Sequence, residues 1–139
     1  MNDPYNLQRF LDAQKPVFNQ VCAELRAGRK TGHWMWFIFP QLRGLGSSET
    51  AQFFAIGSLE EATQYLRHTI LGPRLRECSR LVTAVQERTV DEILGYPDNL
   101  KLKSSMTLFA HASDDNQIFI DVLNRHFDSQ YDAQTMARL

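Results

Sequence analysis

The chain has 139 residues, 43% of them hydrophobic, with fifteen basic and sixteen acidic side chains and a formal charge of -1. That length suits one compact domain, residues 1–139, around a single core, and the near balance of charge excludes a net field drawing the protein to nucleic acid or an anionic membrane. No stretch approaches the roughly 20 apolar residues of a membrane span, and the start "MNDPYNLQRFLDAQ" is polar and periodic, unlike a signal peptide.

Asp3 as N-cap and Pro4 at the first helical position open a short helix in which Leu7, Phe10 and Leu11 repeat at helical spacing. After Pro16, the apolar positions Val17, Phe18, Val21, Cys22 and Leu25 predict a second helix, stopped by Gly28 in the left-handed conformation. Arg29 to Gly46 has no clean period and is punctuated by Pro40, Gly44 and Gly46, so it reads as an ordered loop or a short buried strand. Ser47 or Ser48 caps a helix through Ala51, Phe54 and Ala55 that Gly57 ends. Ser58 with Glu61 forms a capping box before Leu59, Ala62, Tyr65 and Leu66.

Leu71, Leu75, Cys78, Leu81, Val82 and Val85 give the longest helical repeat, with Pro73 tolerated in its first turn. Thr89 and Glu92 repeat the capping box before a brief turn closed by Gly95. "DNLKLKSSMTLFAHA" and "DDNQIFIDVLNRHF" predict two further helices, and Asp132 caps a last one. With helical period throughout and no hairpin signal, the expected fold class is all-α, mainly helical, with the short strand or ordered loop near 33–40 as the one irregular part. No repeat or low-complexity tract breaks the single domain.

Chemistry is sparser. His33, His68, His111 and His126 stand far apart, no HExxH is present, and Cys22 and Cys78 form no CxxC, so no metal and no cofactor is expected. The two cysteines read as small buried side chains of a protein kept in a reducing compartment, the cytoplasm. Neither a GxSxG elbow nor a GxxxxGK[ST] loop occurs. "GLGSS", Gly44 to Ser48, is a short turn whose helix N-terminus has the character of a phosphate cradle and equally that of a simple cap.

On a helix over 98–109, Leu100, Lys103, Ser104, Thr107 and His111 share one side, and Leu102, Met106 and Phe109 another. Hydroxyls and an ammonium there suit phosphate or ribose oxygens as well as packing against a neighbour. Lys101 and Lys103 are alternate residues and point apart. In "GHWMWFIFPQ", local extension would put Trp34, Trp36 and Ile38 on one side and His33, Met35, Phe37 and Phe39 on the other. The two tryptophans then form either a core plug or a wall for stacking a base, with His33 or Gln41 at its edge.

"GRKTGHWMWFIFPQLRGLGSSETAQFFAI", "LGPRLRECS" and "DNLKLKSSMTLF", in this order, resemble a bacterial family of uncharacterised small domains sometimes mislabelled calpastatin. The resemblance covers almost the whole chain and is carried by His33, Trp34, Trp36, Phe37, Pro40, Gln41, Leu71, Gly72, Lys101, Ser105, Met106, Thr107 and Phe109. It implies a fold of the NADAR type, helical domains tied to NAD and ADP-ribose metabolism, some of which are N-glycosidases.

The expectation that follows is hydrolysis of a bond between ribose C1 and a nitrogen in an ADP-ribose-like or other phosphorylated ribosyl or nucleotide compound. Trp34 or Trp36, with Gln41, would hold the base. Lys101 or Lys103, with Ser105 and Thr107, would hold phosphate or ribose oxygens. Glu49, placed like the glutamate of NADAR proteins, or His33 would serve as the catalytic group. The alternative is a binding module for a nucleotide metabolite, or a protein-interaction domain, without chemistry. Oligomeric state is not legible.

Overall fold

Ten helices and no strand appear in the computed structural model, which describes residues 2–139. In chain order they are α1 (Gln8–Gln14), α2 (Phe18–Ala27), α3 (Met35–Ile38), α4 (Glu49–Phe53), α5 (Leu59–Arg67), α6 (Leu71–Ala84), α7 (Val90–Leu94), α8 (Asp98–Ala110), α9 (Gln117–His126) and α10 (Ala133–Arg138). The all-α expectation holds.

The boundaries follow local chemistry. Gly28 ends α2 at φ 70° in the left-handed region, where a Cβ is penalised. Thr89 and Glu92 complete a reciprocal capping box on α7, and the carboxylate of Asp132 accepts the Thr135 N–H at 2.9 Å to start α10. Of the two serines before α4, Ser48 is the cap, accepting the Ala51 N–H at 3.1 Å.

Other predicted ends shift. Asp3 does not begin α1; a turn intervenes, and its carboxylate reaches forward to the N–H groups of Leu7 and Gln8 at 2.8 and 3.0 Å. α4 stops at Phe53, well before Gly57. Only half of the second capping box forms: Ser58 Oγ accepts the Glu61 N–H, but the Glu61 carboxylate turns to the Gly57 N–H at 3.0 Å and to Arg9 at 2.9 Å. Arg9 also donates to the carbonyls of Tyr5, Asn6, Phe53 and Ala55, which ties the N-terminal turn to the α4–α5 connection.

α6 lies at the centre, packed on α2, α5 and α9, while α8 packs on α5, α7, α9 and α10. Phe10, Tyr65, Phe109 and Phe119 form a continuous aromatic file across α1, α5, α8 and α9, with successive ring centroids 5.1, 5.3 and 6.1 Å apart. Each ring is fully buried, contributing on the order of 1.5–3 kcal/mol through the apolar surface it removes from water. α8 is enclosed from Ser104 through Ala110 without interruption. Its serines and threonine are therefore inside the protein.

Between α3 and α5 the chain makes one isolated parallel bridge, Leu42 to Ile56. It is held by the Arg43 N–H to Ile56 O and the Ile56 N–H to Gln41 O, both 2.8 Å. Extended structure over 33–40 is overturned: residues 35–38 close a helical turn, and the Ile38 and Phe39 N–H groups reach the carbonyls of Trp34 and Met35. A strand places alternate residues on one side, whereas a helix rotates about 100° per residue. Trp34 and Trp36 thus diverge.

Candidate site at Trp36 and Lys101

The segment after Gly28 is organised by a buried carboxylate. Glu24, on α2 and 6% exposed, accepts at Oε1 the backbone N–H groups of Thr31 (2.7 Å) and Gly32 (2.9 Å) and the indole Nε1–H of Trp34 (2.9 Å). Its Oε2 accepts the Gln20 amide at 2.9 Å. Burial by itself would raise the carboxyl pKa, but the donors from Gly32, Thr31, Trp34 and Gln20 outweigh it and hold the value at about 2. Glu24 is therefore a fixed anion that folds the 30–34 turn around itself. A Cβ on Gly32 would stand 2.9 Å from Trp34 Cδ1, so the turn closes tightly over the indole.

Trp34 is 2% exposed and belongs to the core. Trp36, two residues on and half-buried, turns outward. The Lys101 ammonium sits 5.1 Å from its ring centroid. Asp98 links two lysines, its Oδ1 lying 3.3 Å from Lys101 Nζ and its Oδ2 2.9 Å from Lys30 Nζ. Lys30 in turn lies 5.2 Å from the Trp34 ring. Two ammonium groups thus share one carboxylate beside both indoles, leaving a local excess of one positive charge. Trp36, together with Gln41, also borders a crevice closed by Gly46, Ala51 and Phe54, of about 10 Å³.

The predicted residues fall into three groups. Trp36, Gln41 and Lys101 come together at this face. Lys103 and Thr107 lie elsewhere, because they are about 160° and 120° from Lys101 around the helix. Thr107 is fully buried and its hydroxyl is engaged twice, donating to Lys103 O and accepting the Asp132 N–H, both at 2.8 Å. Ser105, close in angle to Lys101, is fully buried with no hydrogen-bond partner for its Oγ. Glu49 and His33 are both exposed, Glu49 as the first residue of α4 and His33 in the turn before Trp34.

Glu24, Lys30 and Asp98 escaped the sequence reading. Lys30 and Asp98 begin "KTGHWMW" and "DNLKLK", the stretches singled out for their later residues. Glu24 looks like an ordinary charge on an amphipathic helix, and only the returning turn makes it internal.

A more open cleft of about 770 Å³, bordered by Arg67, Arg76, His111 and the 112–116 loop, contains none of the predicted site residues. Among the described residues no cluster of three His, Cys, Asp or Glu is placed to hold a metal ion, and no helix is long and apolar enough to cross a membrane.

The fold has a close structural counterpart. The crystal structure of the conserved hypothetical protein Rv1873 from Mycobacterium tuberculosis superimposes with a TM-score of 0.98 at 58% sequence identity, covering 99% of this chain and 98% of the other. Comparison with curated proteins gives no match. Neither the family match nor the structural one carries a calpastatin or NADAR description. The model of one family matches residues 4–139, and the chain belongs to that family, described as a protein of unknown function (DUF1810).

Proposed function

We propose that the face formed by Trp36 and Lys101 binds a phosphorylated ribosyl or nucleotide compound, and that hydrolysis of its N-glycosidic bond is the reaction served. The observation that carries this reading is the pairing of a half-buried indole with an ammonium 5.1 Å from its ring. An aromatic surface offers stacking to a base, and the cation beside it offers charge to a phosphate. Asp98 holds Lys101 in place while Lys30 offsets its charge, so the ammonium is pre-positioned and still available to an anion. Gln41 lines a small crevice together with the same indole. Trp34 is buried in the core with Lys30 on its ring, and Ser105 lies one turn along α8 from Lys101.

The resemblance to NADAR proteins supplies the reaction class. Glu49, with His33 as the alternative, would orient water and assist the leaving group as the ribosyl centre gains oxocarbenium character. A second reading, a binding module without chemistry, is favoured by the exposure of both groups. A carboxylic acid kept protonated near neutral pH ordinarily owes this to burial.

Thermal-shift titration with ADP-ribose, NAD and ADP, followed by chromatography of each mixture for free base and ribose phosphate, tests both. Stabilisation that is lost in Trp36→Ala and Lys101→Met supports the site, and product formation lost in Glu49→Gln or His33→Ala supports the reaction. Stabilisation without product supports the binding module. No stabilisation by any of the three, or stabilisation unchanged in both site variants, refutes the site.

A further inference from the structure

α2 and α6 lie side by side and run in the same direction, as the contacts at the two ends of their seam show. At one end the Arg74 guanidinium sits 4.7 Å from the centroid of the Phe18 ring. At the other, a Cβ on Gly28 would stand 3.0 Å from Val85 Cγ1. One helical turn beyond Phe18 is Cys22, and one turn beyond Arg74 is Cys78. Residues four apart share a helix face, so the register that pairs Phe18 with Arg74 also pairs Cys22 with Cys78. The two side chains therefore occupy matching positions on the facing sides of α2 and α6. Both are free, Cys22 6% exposed and Cys78 1% exposed.

From this register we propose that Cys22 and Cys78 form a reversible redox pair, closing to an intramolecular disulfide across the α2–α6 seam when the protein meets a peroxide. The more accessible sulfur is the attacking one. The neighbouring Cys78 thiol lowers the Cys22 pKa, and the charges of Arg26 and Arg74 act in the same direction against the effects of burial and Glu77. Cys22 in turn raises the pKa of Cys78, and burial raises it further.

In the first step the Cys22 thiolate attacks one peroxide oxygen. The O–O bond breaks, and the departing oxygen leaves as water (or as an alcohol from an organic hydroperoxide) after taking a proton, with Cys22 left as a sulfenic acid. In the second, the Cys78 sulfur attacks the Cys22 sulfur, the S–O bond breaks, and the hydroxyl leaves as water with the Cys78 proton. Two thiols are oxidised by two electrons and one peroxide is reduced. Thiol reductant reverses the change.

Mass spectrometry of the folded protein after hydrogen peroxide, with thiols counted by alkylation in denaturant, tests the proposal. The expected result for wild type is loss of both alkylatable thiols and of two hydrogens from the monomer mass, restored by dithiothreitol, with a peptide joining Cys22 to Cys78. The disulfide should also move the chemical-denaturation midpoint upward, since it closes a long loop in the unfolded chain. Cys22→Ser should retain its remaining thiol, and Cys78→Ala should accumulate oxygen on Cys22 in place of the cross-link. Wild-type monomer that keeps both thiols, gains oxygen at Cys22 without losing hydrogen, or cross-links only between molecules overturns the proposal, and these readings do not depend on the variants folding.

Discussion

Replacing Glu24 with Gln removes the charge around which the 30–34 turn is built while leaving the side chain's shape almost unchanged. Three donors converge on one carboxylate oxygen at 2.7–2.9 Å and a fourth approaches the other. Their preference for the ionised form lowers the pKa from 4.5 to about 2. At about 1.4 kcal/mol per unit this corresponds to about 3 kcal/mol of folded-state stabilisation near neutral pH. The neutral amide retains one acceptor oxygen and sets its NH2 group against the Gln20 amide. The variant should therefore lose about 2–3 kcal/mol at pH 7.

The sign of the pH dependence is determined as well. A folded pKa below the unfolded one gives a contribution that is complete above about pH 5 and lost as pH falls from about 4.5 toward about 2. Chemical denaturation at pH 7, 4 and 2.5, followed by Trp fluorescence, should show the gap between wild type and Glu24→Gln narrowing with falling pH, to about a quarter of its neutral value at pH 2.5. A gap of the same size at all three values, or one below about 0.5 kcal/mol at pH 7, would show that hydrogen bonds to the charged carboxylate do not hold the turn.

Two further perturbations test packing. Gly72, in the first turn of α6, has no room for a methyl group, since a Cβ would fall 2.1 Å from the Leu66 carbonyl oxygen; Gly72→Ala should cost about 3 kcal/mol in a denaturant titration, and a neutral result would contradict that close approach. Ser105 and Thr107 should respond in opposite ways despite similar burial. Ser105→Ala discards a hydroxyl with no partner and should be neutral or stabilising by up to about 1 kcal/mol, whereas Thr107→Val leaves the Asp132 N–H without its acceptor and should cost about 1–3 kcal/mol. Urea midpoints of the two variants in the reverse order would refute the hydrogen-bond assignment.

Much of the architecture was legible because it is governed by neighbours in the chain. The Thr89–Glu92 box, the Asp132 cap and the Gly28 stop each act within a few residues, so composition at those positions carries the information. The predicted box at Ser58 shows where this reasoning fails. Its Glu61 finds a stronger partner in Arg9, from another part of the chain, and turns away from the Ser58 N–H.

The candidate site shows the same division. That Lys101 and Lys103 point apart follows from helical geometry alone, but which of them meets an indole depends on where the 30–39 segment crosses α8. The polar stripe of Lys103, Ser104 and Thr107 has the composition of a ligand-binding face, yet the returning C-terminal segment covers Thr107 through Asp132. Trp34 and Trp36 are alike as sequence. A single helical turn, set by Glu24 gathering the N–H groups of Thr31 and Gly32, sends one into the core and leaves the other at the surface beside Lys101. The sequence by itself determined the helices, their local caps and the apolar stripes, because these depend on spacing and short-range hydrogen bonds. Only the tertiary structure decided which polar groups are satisfied inside, which tryptophan reaches the surface and that Cys22 and Cys78 fall at matching positions of adjacent helices, because those depend on contacts between segments far apart in the chain.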